Sequence, residues 1–403
     1  MRGSAARNSL APGPLPGDAR LEVFMASVQG QCDSAFSGVR EVFEESFAEG
    51  QNLGAAVAVY ADGRPVVDLW GGVADRRTGR RWSWDTPCVV FSCTKAVTSA
   101  AALLLVERGY ASLDDPVADW WPEFARHGKG GATLEHLLTH QVGLPAFDGQ
   151  VTVAQAADPV AMADRLAGQH PEWEPGTDFG YHALTFGWLL GELVRRHTGA
   201  TVGQFVQEEF GSDLWIGAPA GTIARAARIS VPKRGEPKSE LTDIATQTRI
   251  GAAYAEPGSL IFRATANPAA SYNDPVLLGG GWPAAGMVTT ARALARFYRD
   301  LVHGVTLSHR TLDDAIRVRV RGRDRVLLTD SAYGLGFMRP AQSFELPDVA
   351  SDAFGHPGAG GAVGLGDPGS GLAFAFVPNL KRDYFAGDRR AHRLVEAAYA
   401  AIT

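Results

Sequence analysis

Cysteine, net charge and long apolar runs are all scarce in this chain of 403 residues. Three cysteines, Cys32, Cys88 and Cys93, do not make a disulfide framework, and no metal-binding spacing connects them. The net charge is only −6 and no basic stripe is present, which argues against nucleic acid as a partner. The longest apolar runs, such as AAALLLV, fall far short of the ~20 residues of a membrane span. These absences indicate a globular protein of a reducing compartment, and we expect a cytoplasmic location without membrane partners.

The first 27 residues also lack the apolar stretch of a secretory signal. They are rich in Ala, Gly, Pro and Arg, and we expect residues 1–27 to form a disordered tail that takes no part in the fold. Met25 is a candidate internal start.

The order of the remaining segments predicts an α/β (α+β) fold with a helical insertion. Apolar residues at helical spacing predict a helix in residues 36–50, and Asp62-Gly63 between two β-rich runs predicts a hairpin. Residues 113–280 read mainly as helices, whereas β-like runs and a last helix return after Gly286. We therefore expect residues 28–112 and 281–403 to share an antiparallel sheet flanked by helices, with 113–280 inserted as a helical domain. The cleft between the two parts is the expected active site.

Ser92 and Lys95 stand three residues apart where the apolar helix FSCTKAVTSAAALLLVERGY begins. Residues three apart share one helix face, so the lysine can act as a base for the serine hydroxyl if shielding from water lowers its pKa. N–H groups at a helix start can also stabilise an oxyanion. Taken alone, the pair is more typical of an N-cap serine and a solvated surface lysine, but the apolar helix after Lys95 indicates a buried lysine.

Two further segments offer partners for this pair. Tyr181, in PGTDFGYHALTFGWLL, enters another apolar helix and can point into a cleft, where a nearby lysine is expected to lower the pKa of its phenol. The alternative is that Tyr181 is an aromatic residue of the hydrophobic core without a chemical role. FGHPGAGGAVGLGD, residues 354–366, is a glycine-rich turn that lets backbone N–H groups approach a ligand, or simply a tight turn between strands.

These segments, in this order and spacing, resemble the serine hydrolases of the class C β-lactamase and penicillin-binding-protein superfamily, and most of all the family VIII carboxylesterases. LWGGVADRRTGRRW, LEHLLTHQVGLP and GMVTTARALARFY are similar to family segments as well, so the resemblance covers the chain from about Val28 to its end. It implies a β-lactamase/transpeptidase-like fold.

The resemblance also implies roles for individual residues. Ser92 would be the acylated nucleophile, and Lys95 with Tyr181 the acid–base network. The backbone N–H groups of Ser92 and Ala359 would form the oxyanion hole. The segment from His356 to Gly358 takes the place of a Lys-Thr-Gly box. The substrate-binding residues that the resemblance implies are His356 and Gly358 from this segment, together with His182 beside Tyr181.

The chain departs from the β-lactamase pattern at several positions. Tyr-x-Asn is here Tyr181-His182-Ala183, which removes an amide that contacts a lactam, and His356 replaces a lysine that would meet a lactam carboxylate. Both changes favour an ester substrate. EEFGSDLWIGAPA is shorter than its family counterpart, and GGAVGLGDP lacks the usual serine after its glycines.

We therefore predict an enzyme without cofactor or metal that hydrolyses small-molecule carboxylic esters through an acyl-enzyme. The alternative is an acyltransferase or amide synthase that passes the same acyl group to an alcohol or amine; a β-lactamase or a non-catalytic acyl-binding protein is a weaker reading. His136 and His140 are four apart but lack the glutamate of a zinc protease motif, so we expect packed or hydrogen-bonding roles for them. No Gly-x-Ser-x-Gly elbow is present. The natural substrate and the oligomeric state are not predicted.

Overall fold

A computed structural model describes residues 28–211, 213–231, 244–382 and 387–402. The predicted N-terminal tail lies outside these ranges. The strands are β1 (Gln29–Cys32), β2 (Gly54–Ala61), β3 (Arg64–Asp75), β4 (Arg80–Arg81), β5 (Cys88–Val89), β6 (Leu214–Trp215), β7 (Val288–Thr289), β8 (Val320–Arg323), β9 (Asp330–Tyr333), β10 (Phe354–Pro357), β11 (Val363–Asp367) and β12 (Leu372–Pro378).

The helices of the same ranges are α1 (Ser37–Ala48), α2 (Thr94–Glu107), α3 (Val117–Trp120), α4 (Leu134–Leu138), α5 (Val153–Ala156), α6 (Pro159–Gly168), α7 (Thr185–Thr198), α8 (Val202–Glu209), α9 (Ala220–Arg225), α10 (Ile244–Ala255), α11 (Leu260–Thr265), α12 (Pro275–Gly279), α13 (Ala291–Val302), α14 (His309–Ala315) and α15 (Arg389–Ala400). Short 3₁₀ segments are Ser34–Phe36, Phe91–Cys93, Pro122–Gly131 and Asp348–Ala350.

One antiparallel sheet joins the two ends of the chain, as the sequence predicts. Its strand order is β1-β3-β2-β12-β11-β10, with β4 paired to β3. β2 and β12 pair at the centre, with Val57 opposite Phe376. The β2–β3 hairpin turns at Asp62 and Gly63, whose φ values of 48° and 79° are those of the predicted turn type.

Alternation along the central strands separates the two faces of the sheet. Val57 and Phe374 pack with α1 and α15, whereas Ala58 and Ala373 point to the other face, against α13. The alanines leave room for the α13 helix on that face. The sheet is thus covered by helices on both faces, and β10 is the strand at one of its edges.

The α2 helix connects the sheet to the helical part of the chain. All of its residues from Thr94 to Leu105 are buried, so the prediction of a buried helix is confirmed. It packs against α7 and α8 on one side and against β10 on the other. Helices α3 to α12 lie between residues 117 and 279, with β6 in a small sheet with β5 and β7. Within the described residues, no helix combines the length and apolar character needed to cross a bilayer.

Candidate active site

Ser92 lies in a tight turn that the chain forms between β5 and α2. The 3₁₀ segment Phe91–Cys93 precedes the helix, so Ser92 stands just before α2 rather than in its first turn. Phe91 has a φ of 49°, a left-handed conformation that costs a non-glycine residue about 1–2 kcal/mol. The Thr94 hydroxyl donates to the Phe91 carbonyl over 2.5 Å and accepts from the Met287 N–H over 3.0 Å, which ties the turn to β7. The strained turn is therefore held in place from both sides.

Lys95 is fully buried beside the Ser92 hydroxyl. Its Nζ lies 3.4 Å from Ser92 Oγ and donates to the carbonyls of Ala183 over 2.7 Å and Ala284 over 3.1 Å. Burial lowers the pKa of Lys95 well below its usual range, against a small opposing effect of Cys93. A neutral amine has two N–H donors and one lone pair. The two carbonyls take the donors, so the lone pair is left for the Ser92 proton.

Tyr181 completes this group from the start of the α7 segment. Lys95 Nζ lies 4.6 Å from the centre of the Tyr181 ring, and the Tyr181 side chain is buried. Burial raises the pKa of the Tyr181 phenol, and a hydrogen bond with the Ser92 side chain opposes the rise. The prediction that the lysine lowers this pKa is therefore wrong, because a buried, neutral Lys95 offers no charge to a phenolate. Tyr181 is a protonated phenol, suited to donate a proton.

A buried carboxylate that the sequence did not point to anchors the Tyr181 backbone. Asp324 Oδ1 accepts the N–H of Tyr181 over 3.1 Å and those of Val326 and Leu327 over 2.8 Å each. Asp324 Oδ2 accepts from the Tyr333 hydroxyl over 3.0 Å. Asp324 and Tyr181 are 143 residues apart, so no local pattern could have linked them.

The glycine-rich turn after β10 lies directly against the Ser92 turn. Gly358 N–H donates to the Ala362 carbonyl over 2.6 Å, and a Cβ atom on Gly358 would stand 2.3 Å from the Val90 carbonyl oxygen. The N–H of Ala359 has no acceptor among the described residues. The turn can therefore present the Ala359 N–H close to Ser92, as an oxyanion hole requires.

An ion pair supports this turn from behind. Arg390 and Asp388 are both buried, and Arg390 Nη2 bonds Asp388 Oδ2 over 2.6 Å. The same Arg390 nitrogen donates to the Gly360 carbonyl over 2.9 Å. Gly360 and Gly361 have φ values of 101° and 106°, which only glycine adopts readily. The turn is thus fixed by a bidentate guanidinium as well as by its own backbone.

His356 lines the cavity into which Ser92 and Tyr181 also point, and one of its ring nitrogens has no hydrogen-bond partner among the described residues. Its Nδ1 lies 2.7 Å from the Pro357 carbonyl and therefore carries the proton, while Nε2 is buried without a partner among the described residues. Burial lowers the pKa of His356 to about 3, with a smaller contribution from Lys95. His356 is thus neutral and offers a lone pair.

His182 is placed differently from the other predicted substrate-binding residues. Its Nδ1 lies 2.7 Å from the Gly180 carbonyl and its Nε2 accepts the Leu144 N–H over 2.9 Å. Both nitrogens are used inside the helical part, and the ring does not line the cavity. The structure therefore gives His182 a supporting role, and we propose no substrate contact for it.

The two histidines that the sequence left open as packing residues also make internal contacts. His140 Nδ1 accepts the His182 N–H over 3.1 Å, and His136 bonds Thr133 at the start of α4. No group of three or more His, Cys, Asp or Glu side chains in the described residues is arranged to hold a metal ion.

The candidate site opens into a cavity of about 520 Å³. Ser92, Tyr181, His356 and the 358–361 turn form its polar end. Its apolar wall consists of Phe91, Leu184, Tyr272, Leu327, Met338 and Phe344. Tyr272 packs on Phe91 with ring centres 4.4 Å apart. The cavity can accept a small ester with an apolar acyl or alcohol group.

Comparison with known proteins gives consistent matches over most of the chain. The family model described as "Beta-lactamase" matches residues 39–399. The esterase/beta-lactamase LipL of Mycobacterium tuberculosis (strain ATCC 25618 / H37Rv) is 35% identical over 377 residues, 87% of this chain and 83% of that protein. A solved family VIII carboxylesterase superposes with a TM-score of 0.83 at 31% identity, covering 93% of this chain and all of that one.

A shorter match joins the chain to an acyltransferase. The acyltransferase mokF of Monascus pilosus is 33% identical over 156 residues, which are 33% of this chain and 37% of that protein.

Proposed function

Because the chain belongs to the Beta-lactamase family, we propose that it is a serine hydrolase that cleaves small-molecule carboxylic esters through an acyl-enzyme on Ser92. The observation that carries this proposal is the buried Lys95 amine, 3.4 Å from the Ser92 hydroxyl and bonded to two carbonyls. A surface lysine would be charged at neutral pH and could not accept the proton.

The proposed acylation transfers one proton in its first half and two in its second. Ser92 Oγ attacks the ester carbonyl carbon while its proton passes to the Lys95 lone pair. The carbonyl oxygen becomes an oxyanion, held by the N–H groups of Ser92 and Ala359. When the intermediate collapses, the bond to the alcohol oxygen breaks, Tyr181 protonates that oxygen, and Lys95 returns a proton to Tyr181. Water then repeats the sequence as the attacking group and releases the acid.

The neutral imidazole of His356 favours esters over β-lactams at this one position, while Lys381 and Arg382 also line the cavity. Neutral His356 cannot pair with a carboxylate as a lysine would. A neutral ester needs no cation at the His356 position. This supports ester hydrolysis as the main activity.

Acyl transfer to an alcohol or amine is the second candidate. The cavity of about 520 Å³ beside Ser92 has room for an alcohol or amine next to a small acyl group. The similarity to mokF over a third of the chain adds to this reading. Both functions share the acyl-enzyme and differ only in what discharges it.

The experiment measures nitrophenol release from p-nitrophenyl butyrate together with the intact mass, with and without a panel of alcohols and amines. Steady turnover in water that acceptors do not change is expected of a hydrolase. An adduct that only an acceptor discharges would make the protein a transferase.

A matched pair of variants tests the nucleophile in the same assay. Ser92→Ala is expected to abolish turnover and the mass adduct. Cys93→Ala is expected to keep both, because burial raises the pKa of the Cys93 thiol to about 12 and keeps it unreactive. Turnover that survives in Ser92→Ala would refute the proposal.

A further inference from the structure

We infer that Asp324 is a positioning residue for Tyr181: its carboxylate holds the backbone of the Tyr181 loop and so sets where the phenol stands beside Lys95 and Ser92. The inference rests on the proposed acid role of Tyr181.

Asp324 has the contacts of an ionised anchor. It is fully buried, and all four of its partners in the described residues are donors: the N–H groups of Tyr181, Val326 and Leu327, and the Tyr333 hydroxyl. Burial raises the pKa of Asp324, and these donors oppose the rise. Burying a carboxylate with no cation against it is unfavourable compared with an apolar side chain. Packing alone therefore does not account for an aspartate here.

The carboxylate acts on both the backbone and the ring of Tyr181. Its Oδ1 bonds the Tyr181 N–H, while Oδ2 holds the hydroxyl of Tyr333, whose ring lies nearly parallel to that of Tyr181, with 10° between planes and 6.4 Å between centres. The neighbouring N–H groups of Gly180 and His182 bond His140 instead. Asp324 is thus the partner of the one loop N–H that belongs to the catalytic tyrosine.

The negative charge of Asp324 shifts the pKa of Tyr181 in the same direction as burial does. It raises the pKa of Tyr181, which keeps the phenol protonated and able to donate. The other titratable groups that face Tyr181 are Lys95, Cys93, His140, Tyr272, Tyr333 and His356. None of them carries a negative charge at neutral pH, because burial raises the pKa values of the cysteine and the two tyrosines.

Two substitutions separate the position from the charge. In Asp324→Asn, the amide oxygen can still accept the three N–H groups and the amide nitrogen can donate to Tyr333. We expect kcat within about tenfold of the wild type, with the alkaline limb of the pH–rate profile moved to lower pH. Asp324→Ala loses the anchor as well, and we expect kcat to fall about 10²-fold with little change in KM.

A double-mutant cycle with Tyr181→Phe distinguishes positioning from general destabilisation. If Asp324 acts through Tyr181, adding Asp324→Ala to Tyr181→Phe should lower kcat by less than about threefold more. Fully additive losses would overturn the inference, whereas an Asp324→Asn profile identical to the wild type would refute only the effect of the Asp324 charge on the Tyr181 pKa. Should Asp324→Ala fail to fold, Asp324→Asn and Tyr333→Phe decide it, since the latter removes the one bond to Oδ2 and should also lower kcat.

Asp367 provides a matched control. It too is a buried aspartate whose Oδ1 accepts backbone N–H groups and whose Oδ2 accepts a tyrosine hydroxyl, that of Tyr399 over 2.7 Å, but it lies at the far end of β11. Asp367→Ala should lower the melting temperature while kcat stays unchanged. Wild-type activity of Tyr181→Phe would instead refute the proposed acid role, whereas an inactive Tyr181→Phe with a fully active Asp324→Ala would refute only the anchor.

Discussion

Gly358→Ala tests whether the turn after β10 positions an oxyanion donor. The new Cβ would stand 2.3 Å from the Val90 carbonyl oxygen, closer than the 3.0 Å that real Cβ contacts observe. The turn must therefore move by about 0.7 Å, away from the residue that precedes the Ser92 turn. Gly358 does not have a positive φ, so the effect is steric and not conformational.

The expected loss follows from the displacement of the Ala359 N–H next in the chain. Removing one oxyanion donor costs about 10²–10³ in kcat, and a misplacement of about 1 Å costs about 10². We therefore expect kcat for p-nitrophenyl butyrate to fall about 10²-fold, or about 2.7 kcal/mol in the activation free energy. KM should change little, because the added methyl group points at Val90 and not into the cavity.

Gly54→Ala is the control for the destabilisation that both substitutions cause. Its Cβ would also stand 2.3 Å from a carbonyl oxygen, that of Val73, and Gly54 likewise has no positive φ and does not line the cavity. Each variant should lose about 1–3 kcal/mol of unfolding free energy. If Gly358→Ala retains wild-type kcat at a melting temperature as low as that of Gly54→Ala, the turn does not supply the donor.

Two further predictions concern the buried bases. Lys95→Met should lower kcat/KM at least about 10³-fold. The control is Lys129→Met, which should leave kcat/KM unchanged although Lys129 is equally buried and also donates to two carbonyls, over 2.8 and 2.6 Å. Equal activity losses in the two variants would contradict the assignment of Lys95 as the base. Between pH 6.5 and about 3, unfolded His356 binds a proton that the folded residue does not, so its contribution to stability falls as pH falls. His356→Gln should therefore reduce the slope of unfolding free energy against pH in this range by about 1.4 kcal/mol per pH unit. Urea titrations at several pH values would measure this slope. An unchanged slope would show that His356 is charged in the folded protein.

Local patterns predict what depends on neighbours in sequence. The hairpin at Asp62-Gly63, the buried α2 helix and the proximity of Ser92 and Lys95 all follow from spacing within one or two turns of chain. Tyr181 and the turn near His356 required the family resemblance, because they lie 89 and 264 residues from Ser92. Asp324, Tyr333 and Tyr272 were missed, since each acquires its role only through contacts across the fold.

The one wrong electrostatic prediction from the sequence concerns the acid and base roles that we propose for Tyr181 and Lys95. Proximity of Tyr181 to a lysine suggests a lowered phenol pKa only if the lysine is charged. Here the same burial acts on both groups, lowering the pKa of Lys95 and raising that of Tyr181. Desolvation disfavours whichever form is charged, so burial leaves the amine free to accept a proton and the phenol free to give one. Burial alone therefore shifts both pKa values in the direction that the proposed roles require. The charge of Asp324 raises the pKa of Tyr181 further.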